Sequence, residues 1–206
     1  METNSSENTF TRFITNEQHY KEVLLLASSV KHHLWVGTAD IKDLYVQRKD
    51  LYVQRKDLYM QQKGARVQNA GFIPGSRDAV PFLGVIASLL QNGVEVRLVH
   101  AKEPGPAFRE DFDKYPILAT QLERALCPRV HFKIMVFDFA VAYMGSANLT
   151  GAGMGMKQEN RRNFEAGILT NDPLLVEAAM EQFDAVWRGH YCKKCGRKAF
   201  CPDKIG

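Results

Sequence analysis

Apolar positions along this chain change period repeatedly, and each change marks an element. Tyr20, Val23, Leu24 and Ala27 recur at helical spacing behind Thr15-x-x-Gln18, which reads as a capping box, so a helix is predicted over 16–29. HLWVGTA (33–39) is a short apolar run and reads as a buried strand. VPFLGVIASLLQNG (80–93) predicts a helix ended by Gly93, with VEVRLVHA behind it as a strand. EPGPAF breaks regular structure, and YPILATQLERAL then predicts another helix. Asp172 reads as an N-cap with Pro173 at the first helical position. The helix they open has an apolar face of Leu175, Ala179, Phe183 and Val186. Strands alternating with helices predict an α/β layer structure.

The stretch RVHFKIMVFDFAVAYMGSANLT (129–150) reads differently. β-branched and aromatic residues on both sides of Asp138-Phe139-Ala140 predict two short strands joined by a turn. His131 and Lys133 lie two apart, so on a strand they point to the same face. Burying a lone Lys is costly unless an anion meets it. The alternative is an edge strand whose long side chains reach water. Asp138 lies seven residues from His131, an odd number, with the turn between. It reads as a turn residue or as an anchor behind the site.

Residues 43–63 read DLYVQRK, DLYVQRK, DLYMQQK, one seven-residue unit three times over. Leu44, Leu51 and Leu58 make one seam, but the second seam of a coiled coil is missing. A seven-residue insertion rotates a helix by only ~20° but swaps the faces of a strand. The repeat therefore reads as helix.

His131, Lys133, Asp138, Gly145, Ser146 and Asn148 form an ordered set of six residues at fixed spacing. The set resembles the HKD motif of the phospholipase D superfamily, in its small, single-motif, nuclease-like form. NRRNFEAGILT resembles that family's next strand, with Glu165 as its carboxylate. The resemblance implies one phospholipase D-like lobe over 16–188, a mixed β-sheet flanked by helices, carrying the heptads as an insertion. A flexible N-terminus (1–15) and a Cys-rich tail (189–206) flank it.

The resemblance also implies a phosphodiesterase in which His131 attacks phosphorus to give a phosphohistidine. Lys133 supplies fixed positive charge, Asn148 and Ser146 donate hydrogen bonds, and Glu165 accepts from the second ring nitrogen of His131. With Asp138 these are the candidate catalytic residues. A second group must protonate the leaving oxygen. His100-Ala-Lys102 imitates the start of a second motif, but Ala107 stands where its Asp belongs. A homodimer would supply a second His131 across its axis. The donor set lacks a carboxylate cluster for Mg²⁺, so no catalytic cofactor is expected.

Charge and cysteine content narrow the partners. Residues 42–66 hold seven Lys and Arg against three Asp, and residues 188–206 hold six against one. Lys157, Arg161 and Arg162 fall between Asn148 and Glu165. These cations point to DNA or RNA as substrate, with solvated surface charge as the plain alternative. The rival activities are phospholipid cleavage or phosphatidyl transfer, and a catalytically silent nucleic-acid-binding module. No apolar run approaches the ~20 residues of a membrane span, and METNSSENTF lacks the features of a signal peptide. A cytoplasmic protein without stable membrane association is expected. Cys192, Cys195 and Cys201 in the tail, with Cys127 or His190 as fourth ligand, predict a structural Zn²⁺. Free thiols and an iron–sulfur or redox role are the alternatives.

Overall fold

The computed structural model describes residues 9–42, 44–51 and 79–203. Its strands are β1 (Thr11–Thr15), β2 (His33–Thr38), β3 (Ile41–Lys42), β4 (Tyr45–Gln47), β5 (Ala79–Pro81), β6 (Glu95–His100), β7 (Glu123–Leu126), β8 (Lys133–Phe137), β9 (Val141–Gly145), β10 (Leu149–Thr150) and β11 (Ala166–Thr170). A π-helical turn, His19–Leu24, runs into α1 (Leu25–Ala27). The other α-helices are α2 (Phe82–Gln91), α3 (Pro106–Asp113), α4 (Pro116–Gln121) and α5 (Pro173–Trp187).

Seven strands make one mixed sheet in the order β1-β11-β9-β8-β2-β6-β7. β2, β6 and β7 run parallel, and β1, β11, β9 and β8 pair antiparallel, as do β8 and β2. Alternation along β8 feeds two cores. Met135 and Phe137 join Val36, Leu98, Tyr143 and Leu169 against α2. Ile134 and Val136 join Trp35 and Ala142 against Val176, Ala179 and Phe183 of α5. This is the expected α/β architecture, a mixed sheet between helices followed by a Cys-rich tail.

Local signals hold where the chain makes its own caps. Asp172 Oδ1 accepts from the backbone N–H of Leu174 at 2.9 Å, with Pro173 at the first helical position. Gly93 takes φ +80°, and the N–H of Val94 reaches back to the carbonyl of Leu89 at 3.1 Å, closing α2. On α5 the buried face is Val176, Ala179 and Phe183, whereas Leu175, expected inside, is exposed.

Other expectations are corrected. Thr11–Thr15, expected in a flexible N-terminus, is edge strand β1, paired along its length with β11. Thr15 therefore sits in a strand, and the helical turn starts only at His19. Gln18 Oε1 does accept from the Thr15 N–H at 2.9 Å, but the Thr15 hydroxyl bonds the same oxygen, not a helical N–H. Residues 123–126, expected in a helix, are β7, because pairing beside β6 overrides the helix propensity of Glu, Arg, Ala and Leu. EPGPAF starts a helix: Gly105 takes an extended conformation and Pro106 opens α3. Within the repeat, Tyr45–Gln47 is a strand paired with Ala79–Pro81, and residues 48–51 are helical as expected. Most of the repeat lies outside the described residues.

Candidate active site

β8 and β9 form a hairpin whose turn takes φ 50° at Asp138 and 56° at Phe139. Such primed conformations match the twist of the flanking strands but strain a bulky residue. The Phe139 ring stacks on His33 at 4.1 Å and meets Trp35 edge-on, which offsets that cost. The Asp138 carboxylate accepts from the backbone N–H groups of Lys31, His32 and His33 at 2.7–3.2 Å. Burial pushes this carboxyl up, but the three backbone donors outweigh it and hold the group below the usual carboxylate range. Asp138 is thus at the turn end of β8, and the other motif residues are at the opposite end. The structure does not bring it to them.

At that opposite end, Lys133 opens β8 opposite Gly145, the last residue of β9. His131 precedes the strand. Val130 is buried and the Phe132 ring packs over Gly37, so the alternating His131 is left exposed. Lys133 is buried at 8% exposure, and its Nζ donates to the carbonyl of His131 at 2.8 Å. Burial lowers the Lys133 pKa, and the Glu165 carboxylate works against that shift.

Glu165 is fixed from two sides. Its N–H donates to Asn16 Oδ1 at 3.2 Å, and its carbonyl accepts from the Asn16 N–H at 3.0 Å. The Ser146 hydroxyl donates to Glu165 Oε2, and Asn163 Nδ2 donates to Oε1 at 3.0 Å. Both carboxylate oxygens are therefore engaged by Ser146 and Asn163. The expected Glu165–His131 hydrogen bond does not form among the described residues. Gly145 is required at this crossing, since a Cβ there would stand 2.7 Å from the Ala166 carbonyl and 2.8 Å from Gly167 Cα.

Asn148 is aimed by a separate device. β10 pairs in parallel with β3, drawing the segment after β9 against the end of β2. Asn148 Oδ1 accepts from the Asp40 N–H at 3.2 Å and from the Thr38 hydroxyl at 3.4 Å. A backbone N–H can only donate, so the amide orientation is settled and Nδ2 is left without a hydrogen bond among the described residues. Thr38 Oγ1 also accepts from the Leu149 N–H at 3.0 Å, which makes it the hub of this anchor.

Sequence reasoning missed several supporting groups. His19 is fully buried, with Nδ1 2.9 Å from the Asn16 carbonyl and its ring edge-on to Tyr143. Burial lowers its pKa, with Glu165 opposing, so it lies behind that carboxylate. The signal for His19 was present only as a polar residue inside an apolar helical stripe. Asn16, Thr38 and Asp40 act through contacts over a hundred positions apart in sequence, which no local pattern announces, whereas Asn163 reaches Glu165 from two residues away.

The candidate cations divide. Lys157 and Arg161 are exposed without ion-pair partners among the described residues. Arg162 Nη1 is committed to Glu17 at 2.9 Å. His100 is no second motif. It is buried, with Nδ1 2.7 Å from the Lys102 carbonyl and Nε2 accepting from Arg124 at 2.8 Å.

One end of one hairpin thus gathers an imidazole, a buried ammonium, an outward amide donor and a carboxylate-bound hydroxyl. Comparison with known families gives the same direction: the model described as "Cardiolipin synthase, PLD-like domain" matches residues 55–187. The chain belongs to the phospholipase D-like family. No curated protein matches it in a sequence comparison. Among solved structures it is similar to NucT from Helicobacter pylori, with 12% identity, TM-score 0.53, and 85% of this chain and 94% of that one covered. It is also similar to Nuc, a phospholipase D family member from Salmonella typhimurium, with 16% identity, TM-score 0.53 and coverage of 87% and 95%. A third neighbour is the phosphatidylserine synthase of Haemophilus influenzae Rd KW20, with 15% identity, TM-score 0.53 and coverage of 87% and 38%. Family and fold together support cleavage or transfer at phosphodiester bonds. Among the described residues, no helix is long and apolar enough to cross a membrane.

The electrostatic influence of Glu165 on Lys133 has a pH signature. With Lys133 in the expected role of a cation, activity is lost as pH rises through its folded pKa. Burial already lowers that pKa, and Glu165 opposes the lowering. Glu165→Gln is therefore expected to move the alkaline limb of the pH–rate profile to lower pH and to cut activity by ~10–100-fold at neutral pH. An unmoved alkaline limb would show that Lys133 does not act through its charge.

Proposed function

We propose that the chain is a metal-independent phosphodiesterase acting on nucleic acid, through a phosphohistidine on His131 in a homodimeric site. The observation that carries this reading is the grouping of exposed His131 with buried Lys133 and the free Nδ2 of Asn148. Such a set offers a nucleophile and fixed cationic and neutral donors for phosphoryl oxygens. Lys133 needs an anion to offset its burial, and Glu165 already serves Ser146 and Asn163, so a substrate phosphate fits the remaining demand. The donor set contains one carboxylate with both oxygens in use, which favours chemistry without Mg²⁺.

The second His131 of a dimer would protonate the leaving oxygen. Exposed Lys157 and Arg161 nearby suit a polyanion. A DNA-binding neighbour fits as well: just over half of an archaeal chromatin protein, TrmBL2, has a similar fold, at 11% identity, TM-score 0.51 and coverage of 91% and 55%.

The test is an assay of purified protein in EDTA on single- and double-stranded DNA, RNA and phosphatidylcholine vesicles, with sedimentation at the assay concentration. Cleavage of nucleic acid by a dimer is expected. Binding by His131→Ala protein is expected to weaken steeply with salt. Replacing both Lys157 and Arg161 by Ala is expected to reduce the log–log slope on duplex DNA by about 1–2, since each phosphate contact contributes ~0.9. Arg162→Ala, whose guanidinium is held by Glu17, changes the slope little. Vesicle cleavage without nucleic-acid cleavage would transfer the reading to phospholipid, and an active monomer would remove the shared site.

A further inference from the structure

Residues 188–203 contain no buried residue, and the aromatics Tyr191 and Phe200 are 49% and 75% exposed. Apart from Gly189, the positions in this segment that are not exposed are Cys192, Cys195 and Cys201. A segment with no apolar core has nothing to offset the entropy of ordering it, and short units of this kind are usually held by a disulfide or a metal. Here the inward side chains are all thiols.

They turn toward a fourth. Cys127 lies in the turn before β8, where its carbonyl accepts from the Val130 N–H at 2.9 Å. Cys127, Cys192 and Cys195 line one cavity of about 250 Å³. Cys201 Sγ donates to the Asp203 carbonyl at 3.1 Å, has the Leu126 carbonyl at 3.8 Å, and lies within electrostatic reach of Cys127 and Cys192. The Arg197 N–H donates to Cys195 Sγ at 3.4 Å across Gly196, the kind of N–H···S bond that orients a thiolate ligand. His190, the alternative ligand, is exposed with its ring against Tyr191. Polar contacts also hold the tail to this turn: Asp203 accepts from the Leu126 N–H at 2.6 Å, and Arg197 Nη1 donates to the Pro128 carbonyl at 3.4 Å.

We propose that Cys127, Cys192, Cys195 and Cys201 bind one structural Zn²⁺, which fastens the tail to the turn that leads into His131. Among the described residues no group of three His, Cys, Asp or Glu side chains yet converges tightly enough to hold an ion. Closure therefore requires Cys127, Cys192 and Cys195 to rotate inward across their shared cavity and Cys201 to turn toward it from its side, each losing its proton as the metal enters. Four thiolates on Zn²⁺ carry a net charge of −2. Arg129, Lys193, Lys194, Arg197 and Lys198 around them would offset it, which gives the basic tail a role apart from substrate. The site stands four residues from His131, so the metal would position the nucleophile without touching substrate.

The experiment is metal analysis of full-length protein purified without chelators, followed by X-ray absorption at the zinc edge. One zinc per chain with sulfur ligands at ~2.3 Å is expected. Cys127→Ser is expected to lose at least half of the metal, and His190→Ala to keep it. Should Cys127→Ser fail to fold, Co²⁺ substitution of the unmutated protein gives an independent readout, with thiolate-to-cobalt charge-transfer bands expected. Metal-free folded protein, cysteines paired as disulfides, bound iron–sulfur cluster, or zinc lost from His190→Ala but retained by Cys127→Ser would each overturn the proposal. None of these readouts depends on the substrate.

Discussion

Replacing His131 by Ala is expected to lower turnover of a chromogenic phosphodiester by at least ~10³-fold and to leave the melting temperature unchanged. The two halves of this expectation have separate causes. The imidazole is exposed, and Val130 and Phe132 on either side carry the packing of the segment, so little stability rests on it. Its chemistry has no substitute, because the other two histidines with a Lys two residues on, His19 and His100, are both fully buried. Lys133 and Asn148 remain in place in the variant, so substrate binding should survive and the loss should appear in kcat. Acid-labile phosphate recovered on the peptide containing His131 after rapid quenching of the unmutated enzyme would identify the intermediate. A variant that keeps a tenth of the activity would sink the nucleophile assignment.

Asp138→Ala is expected to show the reverse pattern, with a stability loss of about 2–4 kcal/mol and near-normal kcat in whatever fraction stays folded. The carboxylate serves three backbone N–H groups at the start of β2 that have no other partner of comparable charge. Asp138→Asn keeps one acceptor oxygen and tolerates positive φ, so its cost should be smaller. The pH dependence has a definite sign. The folded carboxyl is held below its ordinary pKa of about 3.9, so the stabilisation is complete above that value and fades as pH falls through the folded one. Denaturant titrations of both variants at neutral and acid pH decide the matter. A kcat collapse in folded Asp138→Asn protein would place the residue in the chemistry after all.

The contrast between these residues explains what could be read from the chain beforehand. The motif spacing and the parity argument separated Asp138 from His131, because alternation and turns are local and obey short-range sterics. The caps of α2 and α5 were legible for the same reason. The Ser146 partner of Glu165 was not, since it reaches the carboxylate only after β9 and β11 have paired Gly145 with Gly167. The Asn148 anchor depends on a ladder between residues more than a hundred positions apart. β7 was misread because Glu, Arg, Ala and Leu favour helix in isolation, and only the neighbouring β6 makes a strand of them. The pairing of Arg162 with Glu17 was likewise a fact of tertiary distance that charge counting could not supply.

The outermost strand of the sheet comes first in the chain and finds its neighbour almost last. Thr11 pairs with Thr170, so β1 has no partner until β11 has been made. At ~5–20 residues per second, that leaves it waiting for roughly 10–30 s of synthesis. Glu165 depends on the same meeting, since Asn16 grips its backbone from the end of β1. The carboxylate of the candidate site is therefore set in place only once β1 has met β11. A ribosome stalled before Thr170 would hold a nascent chain with a complete His131–Asn148 segment, an unpaired Phe13-bearing strand and no organised site. Such a chain is exposed to edge-to-edge association with its neighbours on a polysome.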